Sequence, residues 1–229
     1  MTSKLIVALD FPTAELALSF VKPLNPKMCK LKVGFELFVS AGPEFVKQLV
    51  DSGYDVFLDL KFHDIPNTVA SACRSASALG VWMMNVHASG SDIMMRTAKQ
   101  ALIDCNSSAK LIAVTVLTSM DEQQLSHINI NNKPEDQVSK LAQLTQQSGL
   151  DGVVCSAQEA VMLRETLGKD FLLVTPGIRP AGSDIGDQSR VMTPAQAYQS
   201  GVSYIVVGRP ITQSENPLVV IDKINLDMS

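Results

Sequence analysis

The sequence predicts a single α/β domain built as an eight-fold β/α barrel, a TIM barrel, and three observations support this prediction. A short apolar run followed by a segment of helical spacing recurs eight times within 229 residues, a length at which single barrels are common. The apolar runs are continuous, as expected of parallel strands covered on both faces. Polar residues end nearly every run, where barrel enzymes build their sites. An open parallel sheet is the alternative, but it gives no reason for this last pattern.

The first half of the chain supplies four strand-helix pairs, each delimited by residues that start or stop helices. Thr13 is suited to cap the first helix, Ser52 and Gly53 close the second, and Gly80 ends the third. The fourth begins at Gly90 or Ser91. We therefore expect strands over residues 4–10, 28–34, 56–62 and 82–88, and helices over residues 14–22, 43–51, 67–79 and 91–104.

The second half supplies four more pairs and two longer connections. A polar connection over residues 120–133 precedes a helix that Pro134 starts and Gly149 follows. Ser156 caps the next helix, and Pro194 opens another after a long, turn-rich loop. We expect strands over residues 110–117, 152–155, 171–175 and 204–207, and helices over residues 134–148, 157–167, 194–200 and 216–225. No linker rich in Gly, Pro or Ser interrupts the chain, so residues 1–229 are expected to form one domain.

The composition is that of an acidic globular protein, with 46% hydrophobic residues, a formal net charge of −4 and a pI near 5.4. A nucleic-acid partner is not expected, because such proteins carry a basic footprint. No apolar run approaches membrane-spanning length, and the N-terminus leads into a strand rather than a signal peptide. We therefore expect no membrane contact and a cytoplasmic location. The cysteines are predicted to be reduced packing residues, because they are scattered without zinc spacing, at positions 29, 73, 105 and 155.

The most informative stretch is residues 57–68, FLDLKFHDIPNT. Asp59 and Lys61 are two residues apart, so on a strand their side chains point to the same face, and Asp64 follows in the turn. Buried charges are costly unless they are paired or hydrogen-bonded. Most charges near strand ends are solvated or form structural ion pairs, so this motif alone is not diagnostic.

Neighbouring strand ends turn the motif into a predicted charged array. Asp10 ends the first strand and Lys32 lies near the end of the second, so both should face Asp59 and Lys61. Opposite charges about 4 Å apart attract by roughly 4 kcal/mol at an effective dielectric near 20, so alternation supports itself. A Mg²⁺ site is the competing interpretation, but two lysines lie among the carboxylates. A Ser or Cys nucleophile is not expected, because no histidine is placed as its base; His87 is interpreted as a lone hydrogen-bonded residue.

The ends of the last two strands predict a phosphate site. Barrels commonly bind phosphate with the loops after these strands, and here the loops supply Arg179, Gly208 and Arg209. A surface salt bridge is the alternative role for Arg209. The loop over residues 177–192 contains Gln188 and is long enough to fold over a ligand as a lid. The opposite strand ends are expected to carry nothing comparable.

Residues 59–68, DLKFHDIPNT, resemble the signature of the orotidine 5′-phosphate decarboxylase family in its bacterial form. Six further segments resemble the family at matching strand ends: residues 7–10, 32–34, 86–90, 116–119, 176–179 and 207–211. The resemblance implies decarboxylation of orotidine 5′-monophosphate to uridine 5′-monophosphate, the last step of de novo pyrimidine synthesis. It also implies that no metal or organic cofactor is used and that the protein is a homodimer.

The same resemblance implies a role for each matching residue. Lys61 would protonate C6 of the pyrimidine, Asp59 would lie beside the departing carboxylate, and Lys32 and Asp64 would complete the array. Asp64 and Thr68 would reach into the partner's site. The other implied contacts are with the ribose (Asp10 and Lys32), the pyrimidine (Thr118), and the phosphate and its lid (Arg179, Gln188, Gly208 and Arg209). One departure from the family pattern is Ser91, where many relatives have a second glycine after Gly90.

Two rival functions share part of this pattern. A Mg²⁺-dependent sugar-phosphate decarboxylase or aldolase of the same barrel superfamily would share Asp-x-Lys-x-x-Asp. It would not be expected to keep the pairing of Lys32 or the lid between Arg179 and Gln188. A barrel that only binds nucleotide is the other rival, and an unused buried charged array would be a liability in such a protein.

Overall fold

The computed structural model describes residues 3–180 and 192–228, which contain a closed barrel of eight parallel strands in sequence order. Each strand pairs with the next, and β8 pairs with β1. The strands are Leu5–Ala8 (β1), Lys30–Val33 (β2), Val56–Phe62 (β3), Met83–His87 (β4), Lys110–Val114 (β5), Gly152–Val154 (β6), Leu172–Thr175 (β7) and Tyr204–Val207 (β8). The predicted barrel is confirmed, and the open sheet is excluded.

Helices alternate with the strands around the barrel. They are Ala14–Val21 (α1), Phe35–Asp51 (α2), Pro66–Ala78 (α3), Ser91–Asp104 (α4), Glu122–His127 (α5), Pro134–Gln147 (α6), Ala160–Leu167 (α7), Pro194–Gln199 (α8), Arg209–Thr212 (α9) and Pro217–Asp227 (α10), with 3₁₀ turns at Ala88–Gly90 and Ala157–Glu159. Within the two described ranges, no helix is long and apolar enough to cross a membrane.

Three helices differ from the sequence prediction: α2, α5 and the short α9, which follows β8 where no helix is predicted. Helix α2 begins eight residues earlier than expected, at Phe35 rather than at residue 43. Gly42 breaks this helix with φ 73° just before Pro43. Pro43 therefore begins the second part of a kinked helix and not a separate helix. The connection after β5 contains α5, which Asp121 and Gln124 begin with reciprocal side-chain to backbone hydrogen bonds.

The buried core has two layers. A small cluster fills the inside of the barrel, and it consists of Ile6, Ala8, Phe57, Met83, Ile112, Val174 and Val206. A larger cluster packs the outer face of the strands against the helices. Because strand side chains alternate between faces, the inward positions that follow this small cluster along each strand form the mouth of the barrel.

The amino-terminal end of the barrel also carries a buried charge, contrary to expectation. Lys30 is buried, and its Nζ lies 2.5 Å from Asp55 Oδ2. The same ammonium lies 4.6 Å from the ring centroid of Trp82, a cation–π distance. Lys30 therefore closes the end of the barrel opposite the predicted site.

Ser91 stands in a backbone conformation that suits glycine. Its φ is 88° and its ψ is 164°, a region that costs a residue with a Cβ on the order of 1–3 kcal/mol. We expect Ser91→Gly to raise the melting temperature by about 2–4 °C, the shift that about 1 kcal/mol produces in a protein of this size. Differential scanning calorimetry measures this shift.

The neighbouring Ser89→Gly is the matched control, because Ser89 lies inside the 3₁₀ turn Ala88–Gly90. Glycine there only adds freedom to the unfolded chain, so this variant should not gain stability. A melting temperature that falls in Ser91→Gly, or rises equally in both variants, would contradict the assignment of strain to Ser91.

Candidate active site

The predicted charged array is present at the mouth of the barrel. Lys61 Nζ lies 2.7 Å from Asp59 Oδ1, and Lys32 Nζ lies 3.5 Å from Asp59 Oδ2. Lys32 Nζ also lies 3.2 Å from Asp10 Oδ1. The order along the array is therefore Asp10, Lys32, Asp59, Lys61, with alternating sign, as the sequence predicts.

The pairing of Asp59 with Lys61 depends on an irregular strand. Leu58 of β3 pairs with Met84 of β4, and the next paired residue, Phe62, lies opposite Val86. Lys61 has a φ of 45°, a left-handed conformation that is uncommon for residues other than glycine. Strand alternation predicts that the two side chains share a face, but an irregular register brings their charged ends together.

Asn85 belongs to this site and was not identified from the sequence. It is fully buried, its Nδ2 donates to Asp59 Oδ1 at 2.7 Å, and its Oδ1 accepts from the Lys61 backbone N–H at 2.8 Å. The sequence does contain a signal, because position 85 is an inward position of β4 and the preceding inward residue, Met83, is apolar.

Asp59 is held as a carboxylate. Burial alone would raise its pKa, but the charges of Lys32 and Lys61 and the hydrogen bonds from Lys61 and Asn85 outweigh burial and lower the pKa. The array therefore favours the ionised form of Asp59, which lies between two ammonium groups.

His87 is not a lone histidine, as the sequence interpretation had it. Its ring lies 5.6 Å from the ring of His63, centroid to centroid, at an angle of 36°. Burial, then the charges of His63 and Lys61, lower the pKa of His87. His87 is therefore close enough to Lys61 and Asp59 to feel their charges, and its surroundings favour the neutral imidazole.

Asp64 and Thr68 stand apart from the array of their own chain. Both residues are exposed, and Asp64 Oδ1 accepts a hydrogen bond from the backbone N–H of Ile65 at 2.6 Å. Asp64 lies in the turn after β3 and Thr68 in the first turn of α3, and their exposure leaves both accessible to a second subunit, as the resemblance implies.

The candidate phosphate residues follow β7 and β8. Arg179 is buried, and its backbone N–H donates to the Met192 carbonyl at 2.9 Å, which joins the two ends of the long loop. Arg209 is exposed and begins α9. A Cβ on Gly208 would lie 3.4 Å from Asp10 Oδ2, so this glycine borders the array. Gln188 and the predicted lid lie outside the described residues, apart from the loop ends.

The remaining features of the site region are Thr118, the possible metal ligands and the cysteines. Thr118 is half-buried in the segment after β5. Among residues 3–180 and 192–228, no group of three or more His, Cys, Asp or Glu side chains is arranged to hold a metal ion. The four cysteines are unpaired, three of them buried, and burial raises the pKa of Cys29, Cys73 and Cys155 to about 12.

Comparison with known proteins gives consistent matches over nearly the whole chain. Residues 3–224 match the model of the family described as orotidine 5′-phosphate decarboxylase / HUMPS. The chain is 60% identical to orotidine 5′-phosphate decarboxylase of Pseudoalteromonas atlantica, over 99% of this chain and 98% of that protein. It is 56% identical to the protein of the same name from Nitrosococcus oceani, over 99% and 98% of the two chains. The crystal structure of orotidine 5′-phosphate decarboxylase from Lactobacillus acidophilus superposes with a TM-score of 0.89 at 40% identity, covering 99% of both chains.

Proposed function

The chain belongs to the orotidine 5′-phosphate decarboxylase / HUMPS family, and from this premise we propose that it is the decarboxylase, converting orotidine 5′-monophosphate to uridine 5′-monophosphate and carbon dioxide in pyrimidine biosynthesis. The observation that carries the proposal is the alternating array of Asp10, Lys32, Asp59 and Lys61 at the barrel mouth. The names of the relatives supply the substrate.

The array fits the chemistry of this reaction. When the bond between C6 and the carboxylate breaks, carbon dioxide leaves and the electron pair stays on C6 in the plane of the ring, where no π system delocalises it. An ammonium fixed beside C6 stabilises that charge as it forms and then transfers a proton from Nζ to C6. We assign this role to Lys61, which then regains its proton from solvent.

Asp59 is assigned to position the reacting groups. Its Oδ1 holds Lys61 Nζ at 2.7 Å, and Lys32 balances its second oxygen from 3.5 Å. The substrate carboxylate would enter next to this carboxylate, and the resulting repulsion would be relieved as carbon dioxide leaves. With Asp64 of a partner subunit added, as the resemblance implies, the array would alternate over five groups.

We propose that the reaction needs no metal ion. Both oxygens of Asp59 already lie near ammonium groups, and Asp10 Oδ1 lies 3.2 Å from Lys32 Nζ. A Mg²⁺ ion would have to displace these ammonium groups to reach open carboxylate oxygens. The sugar-phosphate decarboxylase or aldolase, which depends on Mg²⁺, is disfavoured for this reason.

The remaining contacts bind the substrate away from C6. We assign Asp10 and Lys32 to the ribose hydroxyls, Thr118 to the pyrimidine, and Arg179, Gly208, Arg209 and Gln188 to the phosphate. Decarboxylation of this kind requires a reduction of the barrier on the order of 20 kcal/mol. One lysine does not supply that, so binding energy from the phosphate must help to align the site.

We also propose that the active enzyme is a homodimer in which Asp64 and Thr68 enter the partner's site. Their exposure beside the mouth supports this assignment. The ion pairs of the array within one chain join Asp10, Lys32, Asp59 and Lys61 and do not include Asp64.

The test of the function is the loss of the orotidine 5′-monophosphate absorbance when purified protein is added with a chelator present. We expect turnover at the same rate with and without the chelator. Turnover that appears only after Mg²⁺ is restored would contradict the metal-free reaction, and no turnover under either condition would contradict the function. A protein that binds uridine 5′-monophosphate without turnover would favour the non-catalytic barrel.

A further inference from the structure

We propose that Asn85 is a positioning residue for this reaction: its side-chain amide holds the irregular part of β3 in the shape that directs Asp59 and Lys61 at one substrate atom. This inference rests on the proposed decarboxylation. Asn85 is uncharged and lies inside the barrel on β4, next to β3. It would act only through Asp59 and Lys61.

The register between β3 and β4 shows why such a residue is needed. Between the pair of Leu58 with Met84 and the pair of Phe62 with Val86, β3 has three residues and β4 has only Asn85. A regular ladder pairs residues one to one, so the backbone of β3 has groups here that β4 cannot pair in the usual way. Unpaired backbone groups are costly at a buried position.

The amide oxygen of Asn85 takes the place of the missing backbone acceptor. Its Oδ1 accepts from the Lys61 backbone N–H at 2.8 Å. Lys61 has a φ of 45°, a conformation that persists in a lysine only when its surroundings fix it. The hydrogen bond from Lys61 N–H to Asn85 is such a restraint on the residue whose side chain carries the proton.

The amide nitrogen of the same side chain fixes the carboxylate. Asn85 Nδ2 donates to Asp59 Oδ1 at 2.7 Å, and Lys61 Nζ lies 2.7 Å from this same oxygen. One buried side chain therefore connects the backbone of Lys61 with the carboxylate that orients its ammonium. The amide of asparagine offers a donor and an acceptor on separate atoms, whereas an ionised aspartate would keep only acceptors.

The positioning role of Asn85 can be measured through the pH dependence of kcat, because Asn85 is hydrogen-bonded to the titratable Asp59. Lys32 of β2, Lys61 of β3 and His87 of β4 are the charged or titratable groups that interact with it directly, with Asp10 beyond Lys32 and His63 beyond His87. The hydrogen bond from Asn85 favours the ionised form of Asp59. Losing it raises the pKa of Asp59, so protonation begins at a higher pH and the acid limb of kcat moves upward.

The experiment compares three variants at a temperature below the melting temperature of each. Asn85→Ala removes both hydrogen bonds. Asn85→Asp is nearly isosteric, keeps an acceptor for the Lys61 N–H, and places a second carboxylate against Asp59. Met83→Ala is the matched control, because Met83 is also fully buried and inward-facing on β4 but belongs to the apolar cluster rather than to the array.

For Asn85→Ala we expect kcat to fall about 100-fold, the loss that a displacement of about 1 Å can produce. The KM for the nucleotide should change by less than about threefold, because the ribose and phosphate contacts are retained. Asn85→Asp should also lose kcat and should shift the acid limb further upward, since a second negative charge beside Asp59 raises its pKa. Met83→Ala should lose stability while keeping the kcat and the acid limb of the wild-type protein.

Wild-type kcat and an unmoved acid limb in Asn85→Asp would overturn the inference, and so would a Met83→Ala control that loses as much kcat as Asn85→Ala. If Asn85→Ala does not fold, Asn85→Asp alone decides. A wild-type protein without decarboxylase activity would instead contradict the proposed function, so the two failures are distinguishable.

Discussion

Replacing Lys61 with alanine is expected to lower kcat by at least about 10⁴-fold while the protein stays folded, because the variant loses both the proton donor and the charge that faces the carbanion. The fold should survive because Asp59 keeps two partners: Lys32 Nζ at 3.5 Å and Asn85 Nδ2 at 2.7 Å. The measurement is single-turnover decarboxylation at saturating enzyme, with circular dichroism as the check on folding.

Lys99→Ala is a closely matched control. Lys99 Nζ lies 2.8 Å from Asp151 Oδ2, and the two side chains are 24% and 32% exposed. The pair of Lys61 with Asp59 is similar, at 2.7 Å with 25% and 14% exposure. Lys99→Ala therefore removes an equivalent ion pair outside the array, and its kcat should not change. Appreciable decarboxylation by Lys61→Ala would overturn the assignment of the proton donor.

The same variant tests the shared site. If Asp64 serves the neighbouring subunit, a heterodimer of Lys61→Ala with Asp64→Ala contains one site with both changes and one site with neither. Mixed subunits should then regain about a quarter of the wild-type activity, because random pairing of a symmetric dimer makes half of the dimers mixed. Mixtures that remain as inactive as the separate variants would place Asp64 in its own subunit's site or outside the reaction.

The array was predictable because a parallel barrel leaves little choice about where its strands end. Asp10, Lys32, Asp59 and Lys61 come from three consecutive strand ends, and closing the barrel brings all such ends to one mouth. The two ion pairs of Lys32 follow from this placement and from the alternation of charge. The pair of Asp59 with Lys61 also depends on the irregular part of β3, which the placement of strand ends does not predict.

Asn85 was not predictable in the same way. Its role depends on a register shift between two strands, whereas a pattern of alternating faces assumes a regular pleat. Nothing in the sequence of β3 alone shows that Lys61 takes a left-handed φ, because lysine rarely does. An inward asparagine in an apolar strand is a hint that a buried polar partner exists, but it does not name that partner.

The missed helical segments have local causes. The first part of α2 precedes Gly42 and Pro43, a pair that usually marks a helix boundary and here marks a kink within one helical stretch. Helix α5 has only six residues, too few for helical spacing to stand out from a polar connection. Its start could have been identified from Asp121 and Gln124, which have the spacing of a capping box.

Arg209→Ala is expected to separate the phosphate from the reacting ring. Loss of charge-assisted hydrogen bonds to the phosphate should lower kcat/KM for orotidine 5′-monophosphate about 100-fold. The bare nucleoside orotidine has no phosphate to lose contact with, so its already slow reaction should change little. Parallel measurement of both substrates, by absorbance for the nucleotide and by chromatography for the nucleoside, gives the comparison.

Arg96→Ala provides the control for removing a surface arginine, since Arg96 is exposed on α4, where its Nη2 lies 3.7 Å from Asp92 Oδ2. This variant should lose activity on neither substrate. If Arg209→Ala lowers kcat/KM equally for both substrates, Arg209 supports the fold or the binding of the ring instead of the phosphate. If kcat/KM falls for neither substrate, the role of Arg209 is a surface salt bridge. A loss confined to the nucleotide would mean that binding energy at the phosphate is used to stabilise the transition state at C6, although C6 itself has no contact with Arg209.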